Sequence, residues 1–153
     1  MIQFLNSQGI MADTRVGDKK TLLALMAARA AKVTGIHERI ILDGIMQRER
    51  LGSTGVGKGI AIPHARLTGC PRVIGLFAQL RTPIEFEAID GQPVDLAFML
   101  LSPEGAGADH LQALAEISRI LRDGAMADRL RGAESADAVL ALLTQPQFAA
   151  VAA

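Results

Sequence analysis

The 153-residue chain has no tryptophan, no tyrosine and only five phenylalanines. A base-stacking surface or an aromatic sugar platform needs more ring faces than that, so neither is expected. Net charge is missing too, because sixteen Lys and Arg balance sixteen Asp and Glu. No overall field draws the chain to bulk nucleic acid or an anionic membrane, and only local charge can matter. The single cysteine, Cys70, cannot close an intramolecular disulfide and has no Cys or His neighbour at metal-ligand spacing, which reads as a space-filling residue in a reducing compartment. Purely apolar runs such as residues 96–101 fall far short of the roughly 18 residues that cross a bilayer. The first fifteen residues also lack the basic, apolar and small-residue succession of a signal peptide. These absences give the expectation of a cytoplasmic protein with no membrane insertion, no nucleic-acid partner and no bound metal.

What is present fits one globular unit over residues 1–153, since half of the residues are apolar and 21% are charged. Asp18 is placed to cap a helix running to about residue 33, with Leu22, Leu23, Leu25, Met26 and Ala30 on one face and Gly35 as its stop. Ile40, Ile41, Ile45 and Met46 recur at helical spacing over 37–51, ending at Gly52. Residues 53–59 read as a loop without regular structure, feeding a short strand over 60–62 that Pro63 breaks. Residues 73–80 and 94–101 are nearly continuous apolar runs between prolines, the pattern of strands covered on both faces. Leu111, Leu114, Ile117 and Leu121 predict a helix with Asp109 near its start, and a last helix is expected over 135–143. The fold class expected is α/β, a layered domain with helices flanking the sheet and an ordered core over about 5–145. Residues 145–153 read as a tail.

The segment Gly52-Ser53-Thr54-Gly55-Val56-Gly57-Lys58-Gly59 nearly matches the phosphate-binding loop G-x-x-x-x-G-K-[ST]. Gly59 has no hydroxyl for magnesium, and the order helix, loop, strand does not aim a helix N-terminus at phosphates. A nucleotide cofactor is therefore not expected. Residues 47–72 nevertheless hold Arg48, Arg50, Lys58, Arg66 and Arg72 against the single acid Glu49, which suits either an anion site or a merely solvated basic face. Of the three histidines, His37 next to Glu38 and Arg39 is assigned no role. His64 follows Pro63 at the end of a short strand, on a rigid backbone suited to a nucleophile. His110 lies in the first turn of a helix, where the dipole favours anions and disfavours ring protonation.

Taken together, Arg48-Glu49-Arg50-Leu51-Gly52-Ser53-Thr54-Gly55 leading to Gly59-Ile60-Ala61-Ile62-Pro63-His64 resembles the active-site signature of phosphotransferase-system enzyme IIA of the fructose/mannitol class. Ala88-Ile89-Asp90-Gly91-Gln92-Pro93-Val94-Asp95 and Asp109-His110-Leu111 extend the match, and the wording is most similar to the nitrogen-regulatory branch. The resemblance implies the mannitol-type IIA fold with a mixed sheet, and a phosphohistidine relay with His64 as phosphoacceptor through Nε2, His110 as second active-site histidine and Arg48 as the active-site arginine. It also implies a small histidine-phosphocarrier protein as donor and regulated partners such as transporters or sensor kinases. The alternatives are passage of the phosphoryl group to a sugar-transport IIB protein, or a purely binding regulator. Ala65 departs from the glycine usual after the histidine. Ile60, Ala65 and Leu67 are the expected apolar docking rim around an exposed His64.

Overall fold

The computed structural model describes residues 2–144, so the expected tail over 145–153 lies outside the described residues. A 3-10 turn (Ser7–Gly9) leads into β1 (Ile10–Thr14), α1 (Lys19–Thr34) and α2 (Glu38–Arg50). Then come β2 (Gly55–Gly57), β3 (Ile60–Ala61), β4 (His64–Leu67), β5 (Ile74–Ile84) and β6 (Val94–Pro103). The chain continues through α3 (Gly107–Arg122), α4 (Gly124–Gly132) and α5 (Ala136–Thr144). The result is a mixed α/β fold: β5 and β6 run antiparallel, β1 joins β5 in parallel, and β3 and β4 lie in parallel along the other edge of β6.

Local chemistry accounts for most boundaries. Asp18 accepts the Thr21 amide at 2.7 Å, and Gly35 closes α1 in the left-handed region at φ +78°. His37, expected to have no role, caps α2 by accepting the Arg39 amide on Nδ1 at 3.1 Å. Residues 53–59, expected to lack regular structure, contain β2, which pairs antiparallel with β3. That hairpin forms because Gly57, Lys58 and Gly59 all adopt positive φ, and Asp90 accepts the Lys58 amide at 2.9 Å. The strand expected to stop at residue 80 continues to Ile84 through a register shift, with Pro83 on an exposed stretch where no ladder bond is broken. β1, β4 and α4 were not foreseen. The first two are too short to show a period, and α4 is launched by Asp123, which accepts the Ala125 and Met126 amides as α3 ends.

Alternation along β5 and β6 splits the core into two layers. Leu76, Ala78, Ala97, Met99 and Leu101 pack under α1 and α2. Phe77, Leu96, Phe98 and Leu100 pack under α3, α4 and α5. Two glycines set the spacing. A Cβ at Gly44 would stand 2.6 Å from Leu67, so its absence lets α2 settle closely on β4. At Gly75 a Cβ would stand 2.7 Å from the Phe98 ring, which packs edge-on to Phe4 with ring centres 6.2 Å apart. Gly75→Ala should therefore overpack this layer and destabilise the fold by about 1–3 kcal/mol, read as a lower urea midpoint at unchanged slope. An unchanged midpoint would show that the ring has room to move.

Candidate functional site

Pro63 divides the strand edge beside β6: β3 pairs with Leu96 and Ala97, and β4 pairs with residues 100–103. His64 thus begins β4 opposite Leu100, and Arg66 sits opposite Ser102. With the period of two, His64 and Arg66 share the face that carries α3. The imidazole is half-buried. Its Nδ1 lies 2.8 Å from the Ile62 carbonyl. A carbonyl only accepts, so the proton is on Nδ1 and the lone pair on Nε2. From the last turn of α2, one turn beyond Gly44, Arg48 brings its Nε–H to that Nε2 at 3.2 Å and donates from a terminal nitrogen to the Gly52 carbonyl at 2.8 Å.

His110 enters from the first turn of α3, with its ring centre 5.4 Å from that of His64. It is buried, and its Nδ1 meets the hydroxyl of fully buried Ser102 at 2.7 Å. The first amides of α3 have no side-chain cap, which leaves donors and the positive end of the helix dipole on this side of the site. The sequence-expected residues Arg48, His64 and His110 therefore converge, whereas His37 stays at the start of α2. Ser102 was missed, because a lone serine ending an apolar strand carries no local signal. Arg66, counted only as part of a basic stretch, also lines the groove.

Behind Arg48, the carboxylate of buried Glu49 accepts the Thr54 amide at 3.1 Å and the Thr54 hydroxyl. Lys19 Nζ stands 2.9 Å from it and 4.5 Å above the Phe86 ring. Ser53 donates to the Phe86 carbonyl at 2.9 Å. A Cβ at Gly55 would come within 2.9 Å of the Ala88 backbone, so this close approach requires glycine. The Gly-Ser-Thr-Gly run is therefore a set of ties to neighbouring backbone rather than a phosphate cradle.

An open groove of about 780 Å³ holds His64, Arg48, Arg66 and His110, with Leu51, Leu111 and Leu114 on its walls. The expected docking rim is corrected here: Ile60, Ala65 and Leu67 are 1%, 8% and 6% exposed, since their side chains belong to the two core layers. Leu51 and Leu111 are instead 84% and 68% exposed. Among the described residues, no group of three or more His, Cys, Asp and Glu comes together that could hold a metal ion. Cys70 is buried, and burial raises its thiol pKa.

Burial pushes the His110 pKa down to about 4, helped by His64 and by the Arg66 guanidinium. His64 is also lowered, chiefly by burial and further by Arg48, while the Ile62 carbonyl and Glu49 oppose the shift. Both rings are neutral at pH 7. A histidine held neutral by the fold contributes stability that is complete above the ordinary 6.5 and is lost as pH falls toward 4. Ring-proton NMR titration should place His110 at about 4 and His64 below 6.5. His110→Asn should flatten the stability loss across that window, and a His110 that titrates at or above 6.5 would contradict this geometry.

Comparison with known proteins agrees with the architecture. Residues 3–145 match the family described as phosphoenolpyruvate-dependent sugar phosphotransferase system, EIIA 2. A nitrogen regulatory protein of Bradyrhizobium diazoefficiens is 50% identical over 139 residues, covering 91% of each chain. The crystal structure of nitrogen regulatory protein IIA-Ntr from Neisseria meningitidis superposes with a TM-score of 0.88 at 35% identity, over 92% of this chain and 97% of that one. IIA mannitol from Escherichia coli, at 20% identity, shares the fold with a TM-score of 0.77 over 91% and 98% of the two chains. Among the described residues, no helix is long and apolar enough to cross a membrane. The chain belongs to the EIIA 2 family of the phosphotransferase system, and its likeness there is to the nitrogen regulatory proteins.

Proposed function

We propose that this chain is a single-domain phosphohistidine carrier that takes a phosphoryl group on His64 from a small histidine-phosphocarrier protein in the cytoplasm. Its phosphorylation state then controls partner proteins, such as transporters or sensor kinases, in nitrogen regulation. The observation that carries the reading is the Nδ1–H bond to the Ile62 carbonyl. It leaves the Nε2 lone pair beside the Arg48 guanidinium at the bottom of an open groove. The likeness to nitrogen regulatory proteins favours the regulatory use over onward transfer to a sugar-transport IIB protein.

In this reading the Nε2 lone pair attacks phosphorus, the N–P bond to His64 forms as the donor's N–P bond breaks, and the donor imidazole keeps the electron pair. Nε2 carries no proton, so none has to be removed. Phosphoryl transfer asks the protein mainly for positioning and charge stabilisation. Arg48 presents five donors in a planar fork. Its Nε–H leaves the lone pair as phosphorus arrives and moves to the phosphoryl oxygens. His110, neutral and tied to Ser102, holds the far side together with the α3 amides. The phosphoryl group reaches the site already activated on nitrogen, so the reading assigns no nucleotide and no metal. Ala65, where the family usually has glycine, turns its methyl into the layer beneath α2 and leaves the reacting groups untouched.

Incubation with the phosphorylated carrier should add one phosphoryl mass to the wild type, labile in acid and stable in alkali. His64→Ala should accept nothing, and an acid-stable product or one mapped to Ser53 or Thr54 would overturn the assignment. Arg48→Ala and His110→Ala should slow transfer by about 100- to 1,000-fold, as loss of an oriented donor does. Arg48→Lys should rescue little, and equal rates in all variants would make these residues structural only. Leu51→Asp combined with Leu111→Asp should raise the carrier KM and leave kcat near wild type. An unchanged KM would place docking elsewhere.

A further inference from the structure

Two chains of contacts leave the catalytic pair, and both end on one buried junction. Arg48 is held by the Gly52 carbonyl at 2.8 Å, and Gly52 lies in the short turn between Glu49 and Thr54. Glu49 closes that turn, because its carboxylate takes both the amide and the hydroxyl of Thr54. On the other side, the Thr54 carbonyl accepts the Ile62 amide at 2.9 Å, and the Ile62 carbonyl in turn accepts Nδ1–H of His64. Glu49 is 8% exposed and Thr54 3%, and Lys19 at 2.9 Å neutralises the buried carboxylate. Without Lys19 and the Thr54 donors, that charge would have little reason to remain out of water.

We propose that the Glu49–Thr54 pair, backed by Lys19, is the positioning element of the site: one clamp that aims the Arg48 fork and fixes the tautomer and direction of the His64 ring. The inference rests on His64 as phosphoacceptor. These residues touch neither the phosphoryl group nor the donor, so they act through Arg48 and His64. The clamp suits the task because nucleophile and guanidinium are referred to the same pair of side chains, so neither can drift without straining the other. A glutamine at 49 offers one acceptor oxygen where the carboxylate offers two, leaving a Thr54 donor or Lys19 unsatisfied. A valine at 54 keeps the shape and removes the hydroxyl, whereas a serine keeps it.

The test compares the full-length wild type with Glu49→Gln, Thr54→Val and Thr54→Ser. Phosphorylated carrier serves as donor, thermal melting is followed in parallel, and nitrogen-15 NMR reports His64 and the Arg48 Nε–H. The wild type should show one His64 tautomer, protonated on Nδ1, and a slowly exchanging Arg48 Nε–H. Glu49→Gln and Thr54→Val should mix the tautomers, hasten that exchange and lower kcat by about 10- to 100-fold, the scale of a misplacement near 1 Å. KM should hold, because Leu51 and Leu111 stay exposed, and Thr54→Ser should recover the wild-type signals and rate. Lower melting temperatures with wild-type tautomer, exchange and kcat would overturn the proposal and leave the pair a structural brace. A wild type that accepts no phosphoryl group would instead remove the phosphoacceptor reading, while the NMR comparison would still decide whether the clamp aims the two side chains.

Discussion

One hydrogen bond organises the rest of the site, the one from His64 Nδ1–H to the Ile62 carbonyl at 2.8 Å. It is short in sequence and rigid in space because Pro63 stands between its partners and breaks the strand there. Residues before the proline pair with the first half of β6, and residues after it with the second half. The ring therefore leaves the backbone at an interruption in the sheet edge, where a groove is open above it.

The layers on the two faces of the sheet then divide the work. From beneath, α2 approaches β4 closely at Gly44, and one turn later Arg48 reaches His64 around the edge. On the opposite face, α3 sets His110 on Ser102, two residues along β6 from the partner of His64. Arginine fork, imidazole nitrogen and helix N-terminus thus come from three elements whose mutual distances are set by core packing. Under the proposed carrier role, such a site needs little rearrangement to stabilise the charge that develops during transfer.

Much of this was legible in the sequence, for physical reasons that differ from place to place. Strands β5 and β6 announce themselves because both faces are buried and the apolar run is nearly continuous. Helix α1 does so because Asp18 and Gly35 mark its ends. Arg48, His64 and His110 stood out through a long joint pattern that resembles a known family, and the fold brings them together. Long-range ties stayed hidden: Ser102 beneath His110, Glu49 against Thr54, and the Phe86 and Ala88 backbone that makes the Gly-Ser-Thr-Gly run tight. The docking rim was misplaced for a related reason. Ile60, Ala65 and Leu67 adjoin His64 in sequence, but strand alternation sends their side chains into the core layers, and exposed leucines come from α3 and the end of α2 instead.

The proposed carrier role requires that Nε2 of His64 be the atom that bonds phosphorus. Coupling between phosphorus-31 and the ring nitrogens, read by NMR on nitrogen-15-histidine protein after phosphorylation by the carrier, identifies that atom directly. A coupling to His64 Nε2 is expected, with Nδ1 still protonated and still bonded to the Ile62 carbonyl. Phosphorus on His64 Nδ1, on His110, or on any side chain other than His64 would contradict it.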